Sequence, residues 1–325
     1  MSATLYRVVA AIALGFLAPM DVSATAFPTK PVHLVVPYAV GGSGDLLARL
    51  LGDKLAAKWG SQLVIDNRAG AGGLLGTEYA ARSNPDGYTI YLATDGPTTV
   101  AATLYKNVPY DWKRDLMPVS MIAVGYQVLI VSPQFPAKTL LEFISLIKKD
   151  PGKYNMATLG IGSPPHLASE LFQSQAGIKM TNVPYSGSSV QAITAVIAGD
   201  VASYIVGTST AFPFLQGGTL RALAVASPHR LENLPDVPTF AESGLRDFDY
   251  SLWFAVLAPS KTPPEIIAKL HDDIAAVVAD PDYQRALIIR GFEAKSDTPE
   301  DLAAFLEKDY LKNRTLIQKL GLQMD

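Results

Sequence analysis

Cysteine does not occur among the 325 residues, so disulfides, thiol nucleophiles, iron–sulfur clusters and thiolate zinc sites are all excluded. Histidine is scarce. His33, His166, His229 and His271 stand in no His-x-x-His or His-Glu-x-x-His spacing, which argues against a dedicated transition-metal centre. There is no block of basic residues, and 27 Lys and Arg against 30 Asp and Glu leave a formal net charge of −3. That balance offers no electrostatic footprint for a nucleic acid. A Gly-Lys-Ser or Gly-Lys-Thr phosphate loop is missing, and so is the Gly-x-Ser-x-Gly nucleophile turn of many hydrolases. Charged residues make up only 18% and hydrophobic ones 49%, the balance of a globular chain long enough for two cores.

What is present begins with a leader. Residues 1 to 26 carry one cation, Arg7, then the apolar run Val8 to Leu17, then the small-residue pattern Ala24-Thr25-Ala26. This is the three-part layout of a secretory signal peptide, and the ten-residue run is short of the roughly 20 that span a bilayer. Removing it takes away Arg7 and Asp21 and leaves the net charge at −3. The mature protein is expected to be exported, soluble and free of cofactors, with a monomer as the simplest state.

From Phe27 short β-rich runs alternate with amphipathic helical ones, the pattern of an α/β fold with largely parallel strands. Strands are expected at Val32 to Val36, Leu63 to Ile65 and Thr89 to Ala93, with helices from about Asp45 to Trp59 and through Ala81. After a β-prone run from Val119 to Val131 the alternation starts afresh, with helices at 140 to 149, 165 to 175 and 188 to 198 between strands at 154 to 158, 180 to 183 and 203 to 206. Two further extended runs, 220 to 226 and 250 to 257, flank a proline-rich loop and would carry the chain back to the first unit. Ile266, Leu270, Ile274, Val277 and Val278 then make one apolar helical face, which must dock on that unit. Two doubly wound α/β domains with a cleft between them follow: 27–122 plus 250–325, and 123–249.

The loops that join strands to helices carry the chemistry. Pro37 to Asp45, rich in glycine and serine, lies where open α/β sheets bind ligands, at the carboxyl end of a strand and the start of a helix. Its free amides and the helix dipole suit a carboxylate or phosphate, although a plain tight turn capped by Ser43, with Asp45 paired to Arg49, reads equally well. The cluster Gly70-Ala71-Gly72-Gly73-Leu74-Leu75-Gly76 fails the dinucleotide fingerprint, because Leu75 occupies the last glycine position. Gly160 to His166 and Val183 to Gly187 repeat the strand-to-helix arrangement in the second unit. His166 is either a ligand donor, a general base or a structural residue, and a Ser43, His166, Asp95 triad has no support from spacing.

Seven motifs then fall in order: Pro37-Tyr38-x-x-Gly41-Gly42-x-x-Asp45 with Ala48-Arg49; Asp66-Asn67-Arg68-x-Gly70-Ala71-Gly72-Gly73; Pro85-Asp86-Gly87-Tyr88-Thr89; Tyr110-Asp111 with Pro118-Val119; Gly160-x-Gly162-Ser163 with His166-Leu167; Val183-Pro184-Tyr185-x-Gly187; and Pro235-Asp236-Val237-Pro238-Thr239 with Glu242-x-Gly244. In these the chain resembles the Bug family, the extracytoplasmic solute receptors of tripartite tricarboxylate transporters, over nearly all of its mature length. The resemblance implies a periplasmic, hinge-bending receptor that holds an organic acid between its domains, chiefly on backbone amides and hydroxyls, and passes it to the membrane permease subunits. Carried onto this chain, the motifs point to Tyr38, Gly42, Ser43 and Asp45 in the first domain and to Ser163, His166, Tyr185 and Gly187 in the second. Thr94, Gly162, Ser186 and Tyr204 complete the expected ligand-binding set. Val40 replaces the family's usual proline, and Ala202 stands where many members have an acidic residue, so any contact made there is lost. The rival readings are a secreted hydrolase or isomerase acting through His166, and a ligand sensor for a membrane kinase.

Overall fold

The computed structural model describes residues 27–185, 188–248 and 250–325; the leader expected over residues 1–26 lies outside them. The first unit opens β1 (Val32–Val36), α1 (Ser43–Trp59), β2 (Leu63–Asn67), α2 (Leu74–Ala81) and β3 (Thr89–Ala93). A wide helical turn at Gly96–Val100 leads into α3 (Ala101–Leu104), then α4 (Trp112–Asp115) and β4 (Leu116–Gly125). The second unit contains β5 (Gln127–Val131), α5 (Leu140–Lys149), β6 (Asn155–Thr158), α6 (Pro164–Ala176), β7 (Thr181–Pro184), α7 (Ser189–Ala198), β8 (Ser203–Gly207), α8 (Thr208–Gln216) and β9 (Arg221–Val225). The chain ends with β10 (Leu252–Pro259), α9 (Pro264–Val278), α10 (Pro281–Ile288), β11 (Phe292–Ala294) and α11 (Pro299–Leu320).

Two sheets result, ordered β11-β4-β10-β3-β1-β2 and β7-β6-β8-β5-β9, and the fold is a two-domain α/β one. The sheets are mixed rather than largely parallel. The expected alternation holds for β2-β1-β3 and β7-β6-β8, which run parallel, while β4, β5, β9, β10 and β11 pair antiparallel. The reason is connectivity: a strand that carries the chain between sheets does not return by a helical crossover, so nothing forces it parallel.

The β-prone run expected from 119 to 131 is cut at Tyr126. Gly125 still pairs with Leu252 in the first sheet, whereas Gln127 pairs with Gly207 in the second. The break expected after residue 122 therefore falls inside β4. The return passage is residues 226 to 251, in which Tyr250 packs in the second unit's core before β10 enters the first sheet.

Beyond His33, β1 is buried on both faces because helices cover both: Val32, Leu34 and Val36 pack with α1 and α9, while Val35 packs with Leu74 and Ala101. The stripe on α9 docks on this first core through Ile267, Leu270, Ile274, Val277 and Val278. Helix α11 departs from the expectation of docking on the first unit alone. Its Leu302 and Leu306 pack with Trp253 and Tyr110, but Leu316 and Ile317 join Phe172 and Phe143 in the second unit's core. Helices α3 and α8 were not legible from periodicity, since α3 is one turn long and α8 carries Pro213 inside it. Leu270 is fully buried at the α9 docking seam, so Leu270→Ala is expected to destabilise the protein by about 2–5 kcal/mol, read as a lower urea midpoint with an unchanged slope.

Candidate functional site

The carboxyl ends of β1 and β3 place two loops side by side. Tyr38 leaves β1, Thr94 and Asp95 leave β3, and the Tyr38 hydroxyl and Thr94 Oγ1 are hydrogen-bonded at 2.8 Å. Gly42 and Ser43 follow as the N-cap and first residue of α1, and no side chain caps this helix. Its leading amides are left for another acceptor. Across the gap, α6 begins at Pro164, capped by Ser163, whose Oγ accepts from the His166 amide at 3.4 Å.

Between them lies a cavity of about 170 Å³ lined by Tyr38, Gly42, Ser43, Gly44, Thr94, Asp95 and Pro164, with Leu252, Trp253 and Phe254 of β10 as an apolar wall. That is room for about five or six water volumes, or a small organic molecule. Among the described residues no Lys, Arg or His lines it. A larger groove of about 670 Å³, beside His33, Arg82 and Thr89, opens at the amino ends of β1 and β3, the wrong edge of a parallel sheet for a ligand.

Of the expected ligand-binding residues, the structure brings Tyr38, Gly42, Ser43 and Thr94 together on this cavity. Tyr38 is half-buried, and desolvation of its hydroxyl, with Asp95 beside it, pushes the phenol well above the ordinary value and keeps it a neutral hydrogen-bonding group. The others behave differently. Asp45 is buried and points back into its own loop, accepting from the Gly41 amide (3.0 Å) and from both Nε and an outer nitrogen of Arg49 (3.1 and 2.9 Å). Burial alone would raise its pKa, but these donors outweigh it and hold the carboxyl below its usual range. The residue shapes the loop. Arg49 is correspondingly occupied.

His166 is also turned inward. Its Nδ1 accepts from the Gly162 amide at 3.2 Å, and Nε2 stands 3.9 Å from a Glu170 carboxylate oxygen. Burial lowers its pKa, with Glu170 offsetting part of that, so the ring is neutral with its proton on Nε2. A base whose accepting nitrogen already holds the loop has no lone pair for a substrate, which removes the support for the hydrolase reading. Ser163 is likewise engaged, donating to the Gly160 carbonyl at 2.7 Å. Tyr204 is a correction. It is fully buried in the second core with Ile130, Ala157 and Ile193, its hydroxyl on Ser189 at 3.4 Å, because strand alternation turns it to the α7 face. Tyr185 is half-buried after β7, its amide on the Thr158 carbonyl; Ser186 and Gly187 lie outside the described residues.

Two glycines set the geometry. Gly76 lets α2 press on the ligand loop, since a Cβ there would stand 2.8 Å from the Pro37 Cα and from the Arg68 carbonyl; the second glycine cluster is thus a packing device. Gly162 has φ +75°, and a Cβ would reach 2.2 Å from Leu104 of α3, where the loop before α6 meets the helical segment that follows β3.

Sequence reasoning missed Asp95 as a lining residue, together with Leu252, Trp253, Phe254, Pro164 and Gly44. Asp95 adjoins Thr94 at the same strand end, a positional signal that was available. The β10 residues carried no such signal, since their place depends on the return passage.

With this geometry in view, the comparisons with known proteins are decisive. Residues 47–322 match the tripartite tricarboxylate transporter family receptor. The chain belongs to that family. BugT of Bordetella pertussis (strain Tohama I) is 35% identical over 311 residues, 95% of this chain and 94% of BugT. Among solved structures, Rpa4515 of R. palustris with adipate is 32% identical with a TM-score of 0.82, covering 92% of this chain and 100% of that one. MatC of Rhodopseudomonas palustris with bound malate is 30% identical with a TM-score of 0.76, covering 90% and 100%. Among the described residues no helix is long and apolar enough to cross a membrane, and no group of acidic or histidine side chains is arranged to hold a metal.

Gly162→Ala in this receptor is expected to cost about 1–3 kcal/mol from its positive φ and the clash with Leu104, and Leu104→Ala on the same background to recover only part, by chemical denaturation. For Asp45 the sign runs with its lowered pKa: its stabilising effect is present above the unfolded value and lost as pH falls through the folded one. Asp45→Asn is expected to lower the urea midpoint at neutral pH, the gap to wild type closing below about pH 4.

Proposed function

We propose that this receptor captures a small organic acid in the cavity between its two domains and delivers it from the periplasm to the permease of a tripartite tricarboxylate transporter. The observation that carries the reading is the uncapped N-terminus of α1, with Ser43, Tyr38 and Thr94 around one cavity that Pro164 closes from the other domain. An anion there meets oriented amides and hydroxyls instead of a fixed cation. The adipate and malate held by its structural relatives are acids of the corresponding class.

The first domain is formed by β1 to β4 with β10 and β11, and the second by β5 to β9. Export follows from the leader over residues 1–26, and the receptor acts as a monomer without a cofactor. Closure is a shift of population, so the ligand must contact both domains; contacts to one alone would bind without switching anything. Tyr126 and residues 226 to 251 are the hinge. The second-domain contacts come from the loop before α6 and from Tyr185, Ser186 and Gly187. Side chains that are engaged elsewhere, His166 and Ser163, act by holding that loop.

The test is a thermal-shift screen of the mature protein against organic acids and non-acid controls, with recovery of the compound. Ligand at about 100 times its dissociation constant stabilises by about 2.7 kcal/mol, which raises the midpoint by several degrees. An acid should produce that shift and come back unaltered; a product in the recovered material, or no shift with any acid, would sink the reading. Ser43→Ala should weaken the responding acid about tenfold or more, as for loss of a hydrogen bond to a charged group, whereas Tyr204→Phe should leave its affinity unchanged.

A further inference from the structure

Among the described residues, Asp95 is the one ionisable carboxyl on a cavity read above as an anion site. It is 6% exposed at the end of β3 and lines the space with Tyr38, Ser43 and Thr94. Behind it, α11 presents a second buried carboxylate, Asp309, and the two are provisioned very differently. Asp309 Oδ2 accepts from Thr99 Oγ1 (2.6 Å), Asn313 Nδ2 (3.0 Å) and Trp253 Nε1 (3.1 Å), and the Lys312 ammonium stands 3.3 Å from Oδ1. Asp95 has no side-chain donor among the described residues; its carboxyl accepts instead from the backbone amides of Gly96 and of Asp95 itself, which offset only part of its rise. The groups facing it are the neutral phenols of Tyr38 and Tyr250, the negative Asp309, and Lys312, whose ammonium is already held by Asp309. Burial first, and Asp309 second, push the Asp95 carboxyl up to about 7.

An ionised Asp95 would set a like charge beside an incoming carboxylate in a low-dielectric space with no cation to separate them. A neutral Asp95 is instead an O–H donor aimed at that carboxylate, and such bonds are the strong ones. We propose that Asp95 is a specificity residue of the cleft, which binds its ligand as a neutral carboxyl donating a hydrogen bond to a ligand carboxylate, so that at alkaline pH capture takes up a proton from solvent. The inference rests on the organic-acid reading. It adds that the cleft favours acids without a cationic group, because an ammonium would call for the ionised carboxylate.

The sign follows from linkage. A bound anion raises the Asp95 pKa further, so affinity is full below the free-state value and falls by about tenfold per pH unit above it. Asp95→Asn keeps a donor of the same shape and cannot ionise, so its profile should be flat and its affinity should exceed that of wild type at alkaline pH. Two measurements decide. The first is the carboxyl ¹³C titration of ligand-free protein, with Asp95→Asn identifying the resonance; a value near neutrality is expected, and an ordinary one near 4 would overturn the proposal without reference to any ligand. The second is calorimetric titration with adipate, malate and aspartate between about pH 6 and about pH 9. Proton uptake by wild type with adipate or malate, absent in Asp95→Asn, is expected. Parallel profiles for the two proteins, or aspartate binding that strengthens as pH rises, would overturn the proposal and leave the receptor reading standing. Failure of every acid to bind wild type at any pH would overturn both.

Discussion

The chain has to pass between two sheets and come back, and the cleft is a consequence of that covalent constraint. The outward passage is a single residue, Tyr126, between strands that belong to different sheets. The inward one arrives beside it, since Leu252 on β10 pairs with Gly125 on β4. Glu293 of β11 ties the two passages on one side, accepting from the Tyr126 hydroxyl at 2.9 Å and meeting His229 Nε2 at 3.0 Å. Beyond these links the units also meet through α11, whose Leu316 and Ile317 join the second unit's core, and through Gly162 against Leu104.

The electrostatics of the cavity follow from what the surrounding charges are already doing. Arg49, a cation close in sequence to the ligand loop, is engaged by Asp45, and Lys312 of α11 is engaged by Asp309. What remains for an anion is the amino end of α1, a serine, a tyrosine and a threonine. Neutral dipoles of this kind hold a charge more loosely than a buried, bidentate arginine pair does.

Much of the fold was legible because it is written locally. The strand-to-helix units of both domains show in the period of their apolar residues, and α1, α6 and α7 begin near the glycine and serine residues that mark them. Half of the candidate site was legible for the same reason: Tyr38, Gly42, Ser43 and Thr94 sit at strand ends, and strand ends are where such sheets bind. Asp45 and His166 lie in the same motifs yet face inward, since motif membership does not fix the direction of a side chain. Tyr204 was misplaced by one consideration, the face of β8 on which it falls.

The sequence by itself determined the alternation of elements, the positions of the glycine–serine loops, the absence of any thiol, and a family whose motifs run the length of the chain. Only the tertiary structure decided that β4 and β5 are two strands in two sheets, that β10 supplies an apolar wall of the cleft, and that α11 fastens both cores. It alone set Asp95 between a ligand cavity and the buried charge of Asp309. The physical reason is range. Caps, turns and periodicity act over a few residues, whereas the meeting of Asp95 with Asp309, or of Gly162 with Leu104, depends on where passages far apart in the chain bring the backbone together.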